Sequence, residues 1–389
     1  MPWKRTNVVD QRVEFVSRRL GGERMTDLCR EYGISRKTGH KIFNRYKDLG
    51  PPGLLDQPRA PGVVRHATAP EIVDLILAAK REKPTWGAKK LLVLLERRHA
   101  GLGLPCRSTV HDILSRHDLV KRHKRRRRAC PTPRHELTEP NRSNRVRGGD
   151  YKGQFRMLDR TYCYPLTISD LFSRFVIGCE AFAAIKLLDA QRCFGQAFER
   201  YGLPEVIRTD NGAPFASTGL LGLSRLSVWW MRLGICHERI EPGCPQQNGV
   251  HERMHRTLKL SATRPPGQGL LQQQEKLDAF CREFNEERPH EGIEMKCPAD
   301  VYKPSDRPLP SIPPEPTYPL HDDFRRIDSS GMMRLWGTSS CYVSVALAGQ
   351  TVGLRQLTDD RWLVSFMALD LGHVHSRQGR FQAMATTRK

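Results

Sequence analysis

The segment EVIRTDNG (205–212) decides the fold class. A short apolar run that ends in an acid and an Asn-Gly turn reads as a strand with a carboxylate, Asp210, at its carboxyl end. Open α/β sheets place their chemistry at that edge. On the N-terminal side, residues 187–201 carry Leu187, Ala190, Phe194, Ala197, Phe198 and Tyr201 on one helical stripe, closed by Gly202 and Pro204. Further back, YKGQFRML (151–158), YPLTISD (164–170) and RFVIGCEAF (174–182) read as three consecutive strands. On the C-terminal side come an apolar helix with Leu226, Val228, Trp229 and Trp230, a strand ICHERI, and a loop EPGCPQQNG. A helix carrying HERMH (251–255) follows, and another over about 271–285. Strands alternating with helices predict an α/β domain over 141–302.

The flanks have a different texture. Residues 1–50 predict three helices. Val9, Val13, Val16 and Leu20 mark the first; the second runs over 25–32 and stops at Gly33; Ser35 caps the third. That third helix should bury Ile42, Phe43 and Tyr46 and expose Arg36, Lys37, His40, Lys41 and Arg45, a helix-turn-helix pattern with a basic outer face. Ser35, Arg36, Lys37, Thr38 and Lys41 are the candidate DNA contacts. A Pro/Gly-rich linker occupies 51–70. A second helix-turn-helix-like unit over 71–120 is marked by Ile72, Val73, Leu75 and Ile76, by Leu91, Leu92, Leu94 and Leu95, and by a cap-like Ser108. The run KRHKRRRR (121–128) lies in a basic arm over 121–140, where Lys121, Arg122, Lys124, Arg125 and Arg126 could neutralise phosphates. Seven prolines in 303–319 predict a linker, and alternating stretches such as CYVSVAL, QTVGLRQL and RWLVSFM predict a small all-β domain over 320–389.

Bulk properties narrow the function. Lys and Arg number 64 against 42 Asp and Glu, a formal net charge of +22, which attracts polyanions and nucleic acid first. No apolar run approaches a membrane span, and the opening Met-Pro-Trp-Lys-Arg-Thr has no apolar stretch of a signal peptide. The 11 cysteines are scattered without a C-x-x-C pair, which fits a reducing cytoplasm rather than a disulfide framework.

Three acids stand where chemistry would want them. Asp150 is on the first strand of the α/β unit, Asp210 ends the fourth, and Glu252 is in the first turns of a helix after a Gly/Asn/Pro loop. Carboxylates gathered together repel unless a cation lies between them, and hard oxygen donors select Mg2+ or Mn2+. HERMH also matches H-E-x-x-H, the zinc protease pattern. Against that reading, Arg253 puts a positive charge inside the motif, the motif sits at a helix start, and no third ligand is evident except His290 in an Arg-Pro-His turn.

TDNGAPF (209–215), PQQNGVHERMHRTLK (245–259) and NEERPH (285–290) closely resemble the DDE transposases of bacterial insertion sequences, whose core is retroviral-integrase-like. The resemblance runs over nearly the whole chain, including ISRKTG (34–39) and WLVSF (362–366). It implies an RNase H-like core, a mixed five-stranded sheet with helices, between the helix-turn-helix units and the β domain. It assigns Asp150, Asp210 and Glu252 as a catalytic triad holding two Mg2+ ions, with Mn2+ able to substitute. Asn211, Gly212, Asn248 and Gly249 would shape the loops around it. The implied reaction is cleavage of transposon-end DNA by water, then attack of the freed 3′-hydroxyl on target DNA. The implied partners are double-stranded DNA, both terminal repeats and target, and further copies of the chain assembled on it. The setting is the bacterial cytoplasm and nucleoid, with no membrane partner. Lys152, Arg253, Arg256 and Lys259 flank the site as candidate contacts to the scissile strand. The segment RVRGGDYKG departs from the family, which usually has an apolar strand with a tryptophan before the first acid. Paired glycines weaken a strand and an arginine there is costly to bury. The strand is therefore expected to start late, or the copy to be degenerate and to act only as a sequence-specific DNA-binding protein. The intact acids favour a competent triad.

Overall fold

The computed structural model describes residues 7–56, 67–120, 136–336 and 339–384. The basic run at 121–128, with Lys121, Arg122, Lys124, Arg125 and Arg126, lies outside the described residues. The chain divides into two compact units, residues 1–68 and 69–389.

The first unit is three helices, α1 (Val8–Leu20), α2 (Met25–Glu31) and α3 (Arg36–Leu49). Gly33 takes φ +63° between α2 and α3, and the Ser35 hydroxyl accepts the Thr38 amide at 3.1 Å, so the stop and cap read from sequence are both present. Phe15, Leu28 and Leu54 are fully buried, with Ile42, Phe43 and Tyr46 packed half-buried beside them. Gly39 makes the close approach of α3 possible: a Cβ there would meet Cys29 Sγ at 2.5 Å. Two expectations change. Arg45 is half-buried and donates to the Leu55 carbonyl at 2.6 Å. The Pro-rich stretch begins as a turn, Pro51–Leu54, that inserts Leu54 into this core.

The second unit opens with α4 (Pro70–Glu82), α5 (Ala88–Arg98) and α6 (Arg107–Arg116), wrapped around buried Trp86, Ile76 and Leu91. The N-cap of α6 is Cys106, and Ser108 falls inside its first turn.

The central sheet is built from β1 (Val146–Tyr151), β2 (Phe155–Arg156), β3 (Tyr162–Asp170) and β4 (Val176–Phe182); after α7 (Leu187–Tyr201) follow β5 (Val206–Thr209), α8 (Arg225–Arg232) and β6 (Cys236–Arg239). The strand order is β2-β3-β1-β5-β6, with β4 on β3. β1 runs antiparallel to β3 and parallel to β5, and β5 is parallel to β6. This is an RNase H-like sheet with its first strand at the centre. Phe194 and Phe198 of α7 and Trp230 of α8 pack against Leu166, Ile168 and Ile207. A second cluster joins α9 (Gly249–Ala262) and α10 (Leu270–Arg282) to Val176 and Cys179 through Met254, Leu258, Leu277 and Phe280. YKGQFRML is therefore mostly loop; the first strand lies upstream, in the RGGD segment.

The helices of 70–116 are fastened to the region beyond α10. Trp86 Nε1 donates to Glu283 at 3.1 Å, Lys83 pairs with Glu287 at 2.6 Å, and Arg97 lies 3.6 Å from Asp300 in the short α11 (Pro298–Val301). The proline-rich segment is also tied down: Arg307 donates to the carbonyls of Pro204, Leu233 and Gly234. The C-terminal strands are β7 (Asp323–Arg326), β8 (Met332–Arg334), β9 (Ser340–Tyr342), β10 (Thr351–Thr358), β11 (Arg361–Phe366), β12 (Leu369–His375) and β13 (Arg380–Ala383). They form an antiparallel sheet β13-β12-β11-β10-β7 and a β8-β9 hairpin, packed on Val228 of α8. CYVSVAL is split between β9 and a helical turn at Val345–Leu347. Among the described residues no helix is long and apolar enough to cross a membrane.

Candidate active site

The RGGD segment is a full strand, because each unusual residue meets a specific neighbour. Val146 pairs with Val206, and Gly149 and Asp150 pair with Ile168 and Thr167. Arg147 is 1% exposed. Its Nη2 donates to Asn144 Oδ1 at 2.6 Å, to the Tyr201 carbonyl at 2.9 Å and to Tyr302 Oη at 3.3 Å. Buried Asp170 adds negative charge nearby while accepting from Asn144 N, Ser173 N and Ser173 Oγ. Nε and Nη2 of the arginine are thus partnered, the condition under which a charge tolerates burial, while Nη1 is buried without a partner among the described residues. A Cβ on Gly148 would lie 2.9 Å from His251 Nδ1, and one on Gly149 would lie 2.8 Å from Phe194. The glycines admit a helix side chain on each face of the sheet. The late start expected from the sequence is corrected.

HERMH lies in the first two turns of α9. Spacing of four brings His251 and His255 onto one face, turned inward, while Glu252, Arg253 and Arg256 are exposed. Thr167 Oγ1 on β3 is 2.7 Å from His251 Nε2, 2.6 Å from His255 Nε2, and donates to the Asp150 carbonyl at 3.0 Å. A hydroxyl has one proton and two acceptor sites. With its proton on Asp150, Thr167 accepts from both imidazoles, which makes each an Nε2–H tautomer. Ser169 Oγ sits 2.8 Å from His251 Nδ1 and donates to it. Burial holds both histidines neutral, His255 also under the charge of Lys152.

Ligand atoms of Asp150, His251 and His255 lie within 4.8 Å of one another. Three of the four imidazole nitrogens are spent on hydroxyls, so the pair cannot chelate zinc as in a zinc protease. The fourth, His255 Nδ1, faces Asp150 Oδ2 at 3.7 Å.

Asp210 and Glu252 both act on Asp150 through their charge, but among the described residues the three carboxylates are not drawn within 4.8 Å of one another as Asp150, His251 and His255 are. Asp150 is largely buried on the central strand, and its carboxyl is pushed up to about 7, first by burial, then by the charges of Asp210 and Glu252. Asp210 follows the last residue of β5; its Oδ1 accepts the Gly212 amide at 3.0 Å, and Asn211 Nδ2 donates to the Ile240 carbonyl at 2.7 Å, tying the ends of β5 and β6. Glu252 extends from the exposed side of α9. Buried Asn248, one residue before α9, has an Oδ1 without a partner among the described residues. Lys152 is half-buried, and burial and Lys259 depress its ammonium while Asp150 supports it. Lys152 therefore stands with Asp150, and Lys259 with Lys152. Arg253 and Arg256 instead line a separate cavity with Arg174 and Arg288. In the first unit Arg36, Lys37 and Lys41 are exposed, while the Ser35 and Thr38 hydroxyls bond each other at 2.9 Å.

Sequence reasoning did not find Thr167 and Ser169 as posts for the histidines. Their signal was alternation on β3: positions 167 and 169 share a face.

Comparison with known proteins agrees with this architecture. Two family models for the integrase core domain match residues 140–245 and 233–298. A helix-turn-helix domain model matches 11–62 and a homeodomain-like domain model 38–114. An uncharacterised 31.7 kDa protein of insertion element IS407 from Burkholderia multivorans is 23% identical over 252 residues, covering 61% of this chain and 84% of its own length. The Pol polyprotein of Feline endogenous virus ECE1 is 35% identical over 104 residues, 26% of this chain and 9% of its own length. Among solved structures, the HTLV-2 integrase catalytic core domain in complex with magnesium aligns at TM-score 0.34 and 18% identity, over 42% of this chain and all of its own. The chain carries an integrase core domain preceded by helix-turn-helix segments, and it resembles insertion-element proteins.

Proposed function

We propose that the chain is a DDE-type transposase, which cleaves phosphodiester bonds at the ends of an insertion element and joins those ends to target DNA. The observation that carries this reading is where the acids sit: Asp150 on the central strand β1, Asp210 at the carboxyl end of its parallel neighbour β5, and Glu252 in the first turn of α9, with the charges of the last two reaching Asp150. Acids held in each other's field are an unbalanced arrangement that a hard divalent cation relieves. The donor set fits Mg2+, with Mn2+ able to substitute, and Asp150, Asp210 and Glu252 would hold two ions. When bound, the ions supply a polarised phosphoryl group and an activated attacking oxygen.

The chain's own residues do the positioning. β1 and β5 fix Asp150 and Asp210 on the rigid sheet, and Gly212 N holds one Asp210 oxygen. α9 brings Glu252, and the histidine–threonine cluster locks that helix to the sheet. Lys152 and Lys259 would lie along the scissile strand beside Asp150. In the first step a water oxygen bonds to phosphorus at the element end, and the bond to the 3′ oxygen breaks, leaving that oxygen protonated. In the second, the 3′ oxygen gives up its proton and bonds to a target phosphorus, and the target's own 3′ oxygen leaves. One P–O bond forms and one breaks each time, so no external energy source is required. Arg36, Lys37 and Lys41 would dock α3 on terminal-repeat DNA, with Ser35 and Thr38 holding its first turn. A homo-oligomer on DNA, at the bacterial nucleoid, would pair two ends.

The test is an assay on DNA carrying the inverted repeats that flank the gene. Wild type should nick and transfer strands with Mg2+ and not with EDTA, and Asp210→Asn should do neither. Equal action by wild type and Asp210→Asn would overturn the catalytic reading and leave a DNA-binding regulator.

A further inference from the structure

Beside α9, away from Asp150, a cavity of about 310 Å3 gathers cations from four separate segments. Lys90 comes from the first turn of α5, Arg174 from the turn after β3, Arg253 and Arg256 from α9, and Arg288 with His290 from the turn after α10. Its volume is at the small end of the ~300–1,000 Å3 of ligand clefts. Its floor is apolar, with Met254 and Phe284.

Protein answers this positive charge only in part: Glu291 lines the cavity and supports Lys90, Glu283 supports Arg288, Asp170 supports Arg174, and the Arg288 guanidinium lies 5.6 Å from the Trp86 ring centre. Nη1 of Arg174, Nη1 of Arg288 and Nε2 of His290 are buried with no hydrogen-bond partner among the described residues. These acids are shared with other partners. Glu291 pairs with Lys89 at 3.2 Å, Glu283 accepts from Trp86, and Asp170 accepts from Ser173 and Asn144. Burial, then the charge of Arg288, pushes the Lys90 ammonium down to about 7, and burial followed by the charge of Arg253 depresses Arg174. The two guanidinium groups thus hold buried donors left unpaired, which are costly and persist where a ligand supplies the missing acceptor, whereas His290, kept neutral by burial, donates to the Phe284 carbonyl and leaves Nε2 as an acceptor. A second groove of about 690 Å3 shares Lys90, Arg288 and Glu291 and continues along α6 past Arg107, His111 and Asp112, so cations extend beyond the cavity with acids interspersed.

We propose that this cavity is a binding site for a backbone phosphate of DNA, held by the guanidinium groups of Arg174 and Arg288 and the ammonium of Lys90. Arg253 follows Glu252 in sequence, roughly 100° away around the helix. A phosphate seated here would anchor a strand one helix face from the carboxylates, through interactions that carry no sequence information. The source of the phosphate rests on the DNA reading above; the anion site itself does not.

Two variants of the full chain test it: Lys90→Met and Arg174→Gln. Each is compared with wild type in binding to duplex DNA over a salt series, and in thermal unfolding with inorganic phosphate against chloride at equal ionic strength. Both variants should weaken DNA binding alike for specific and unrelated duplexes. The slope of log K against log salt should be shallower by about 0.9 for each phosphate the variant no longer neutralises. Phosphate should raise the wild-type melting temperature and leave both variants unmoved. Lys90→Met should melt higher than wild type without phosphate, because it removes a buried cation that Glu291 offsets only in part, a combination that a purely structural role for Lys90 would not give. Protection by phosphate with an unchanged DNA slope overturns DNA as the source. An unchanged slope with no protection overturns the site. Binding is read without Mg2+, so failure of the strand-transfer chemistry leaves this outcome independent.

Discussion

Gly148 of β1 lies under the imidazole of His251 so closely that a Cβ on the glycine would be 2.9 Å from Nδ1. Leu171 closes the other side at the same distance. The neighbour is a ring fixed by two hydroxyls, so it cannot swing away without breaking them. Gly148→Ala should therefore push α9 off the sheet and destabilise the fold by ~1–3 kcal/mol, the usual cost of overpacking. Urea unfolding would show it. Because Glu252 rides on α9, strand-transfer activity should fall further than stability alone explains. An alanine variant as stable and active as wild type would mean that the close approach is unimportant.

Asp150 gives a pH signature. Its folded pKa of about 7 is well above the ordinary aspartate value, so between pH ~4 and 7 the folded chain holds a proton that the unfolded chain has released. The stabilisation from this proton is complete below pH ~4 and is lost as pH rises through 7. Asp150→Asn should accordingly melt higher than wild type at pH 8 in EDTA and about equally at pH 4. If Asp150 holds Mg2+ as proposed, the ion must displace the proton, so its stabilisation of wild type should grow from pH 6 to pH 8. The variant should show little of this response. A flat Mg2+ response across that range in wild type would separate Asp150 from metal binding.

What the sequence made legible was local. Gly33 and Ser35 mark the turn before α3 because αL geometry and capping are decided within a few residues, and the bounds of α7 follow from its apolar stripe and Gly202. Asp210 and Glu252 can be placed because a strand end and a helix start are visible in pattern. Asp150 also reads as a strand residue, but the local pattern puts that strand too late in the chain. What rescues RGGD is distant: Tyr302 is 155 residues from Arg147, and His251 and Phe194 come from two helices on opposite faces. The cavity of Lys90, Arg174 and Arg288 has no sequence signature, since each is an ordinary surface-type cation until the fold assembles them. The histidines of HERMH suggest only zinc when read locally, and their packing role emerges with Thr167 and Ser169 across from them.

Thr167 holds that cluster with a single hydroxyl. Thr167→Val keeps the shape but leaves the Nε2–H groups of His251 and His255 facing a methyl group. Two buried donors without acceptors should cost roughly 2–5 kcal/mol in all. Thr167→Ser should recover most of it, since the hydroxyl, not the methyl, makes the hydrogen bonds. Chemical denaturation of the pair decides. Equal stability of the valine and serine variants would refute the tautomer assignment. Zinc analysis of the purified wild type should find no stoichiometric metal, because those nitrogens are already engaged.

Arg147 is bound to its pocket by shape as well as charge. Arg147→Met should destabilise by ~3–5 kcal/mol, because it leaves Asp170 buried with one fewer compensating charge and removes the guanidinium bonds to Asn144, the Tyr201 carbonyl and Tyr302, which keep only the Tyr302–Asn144 bond and the Ser305 amide. Arg147→Lys should not rescue it: one ammonium cannot span partners that the guanidinium meets in a plane. Thermal and urea unfolding of both variants would check this. A lysine variant of wild-type stability would show that charge alone suffices.

On α3, Arg36, Lys37 and Lys41 project from the exposed face while Ser35 and Thr38 are joined to each other. These two groups should fail differently. Removing a cation should weaken DNA binding and leave stability within about 0.5 kcal/mol, as for other surface substitutions. Ser35→Ala should instead cost ~1 kcal/mol by removing the cap, and weaken binding only through fraying of the first turn. If Arg36→Ala lowers affinity for the terminal repeat far more than for unrelated duplex, the guanidinium reads a base edge, a loss of ~1–3 kcal/mol. If both duplexes lose equally, it positions on phosphate. If neither affinity changes for any of the three cations, α3 is not the DNA-facing helix.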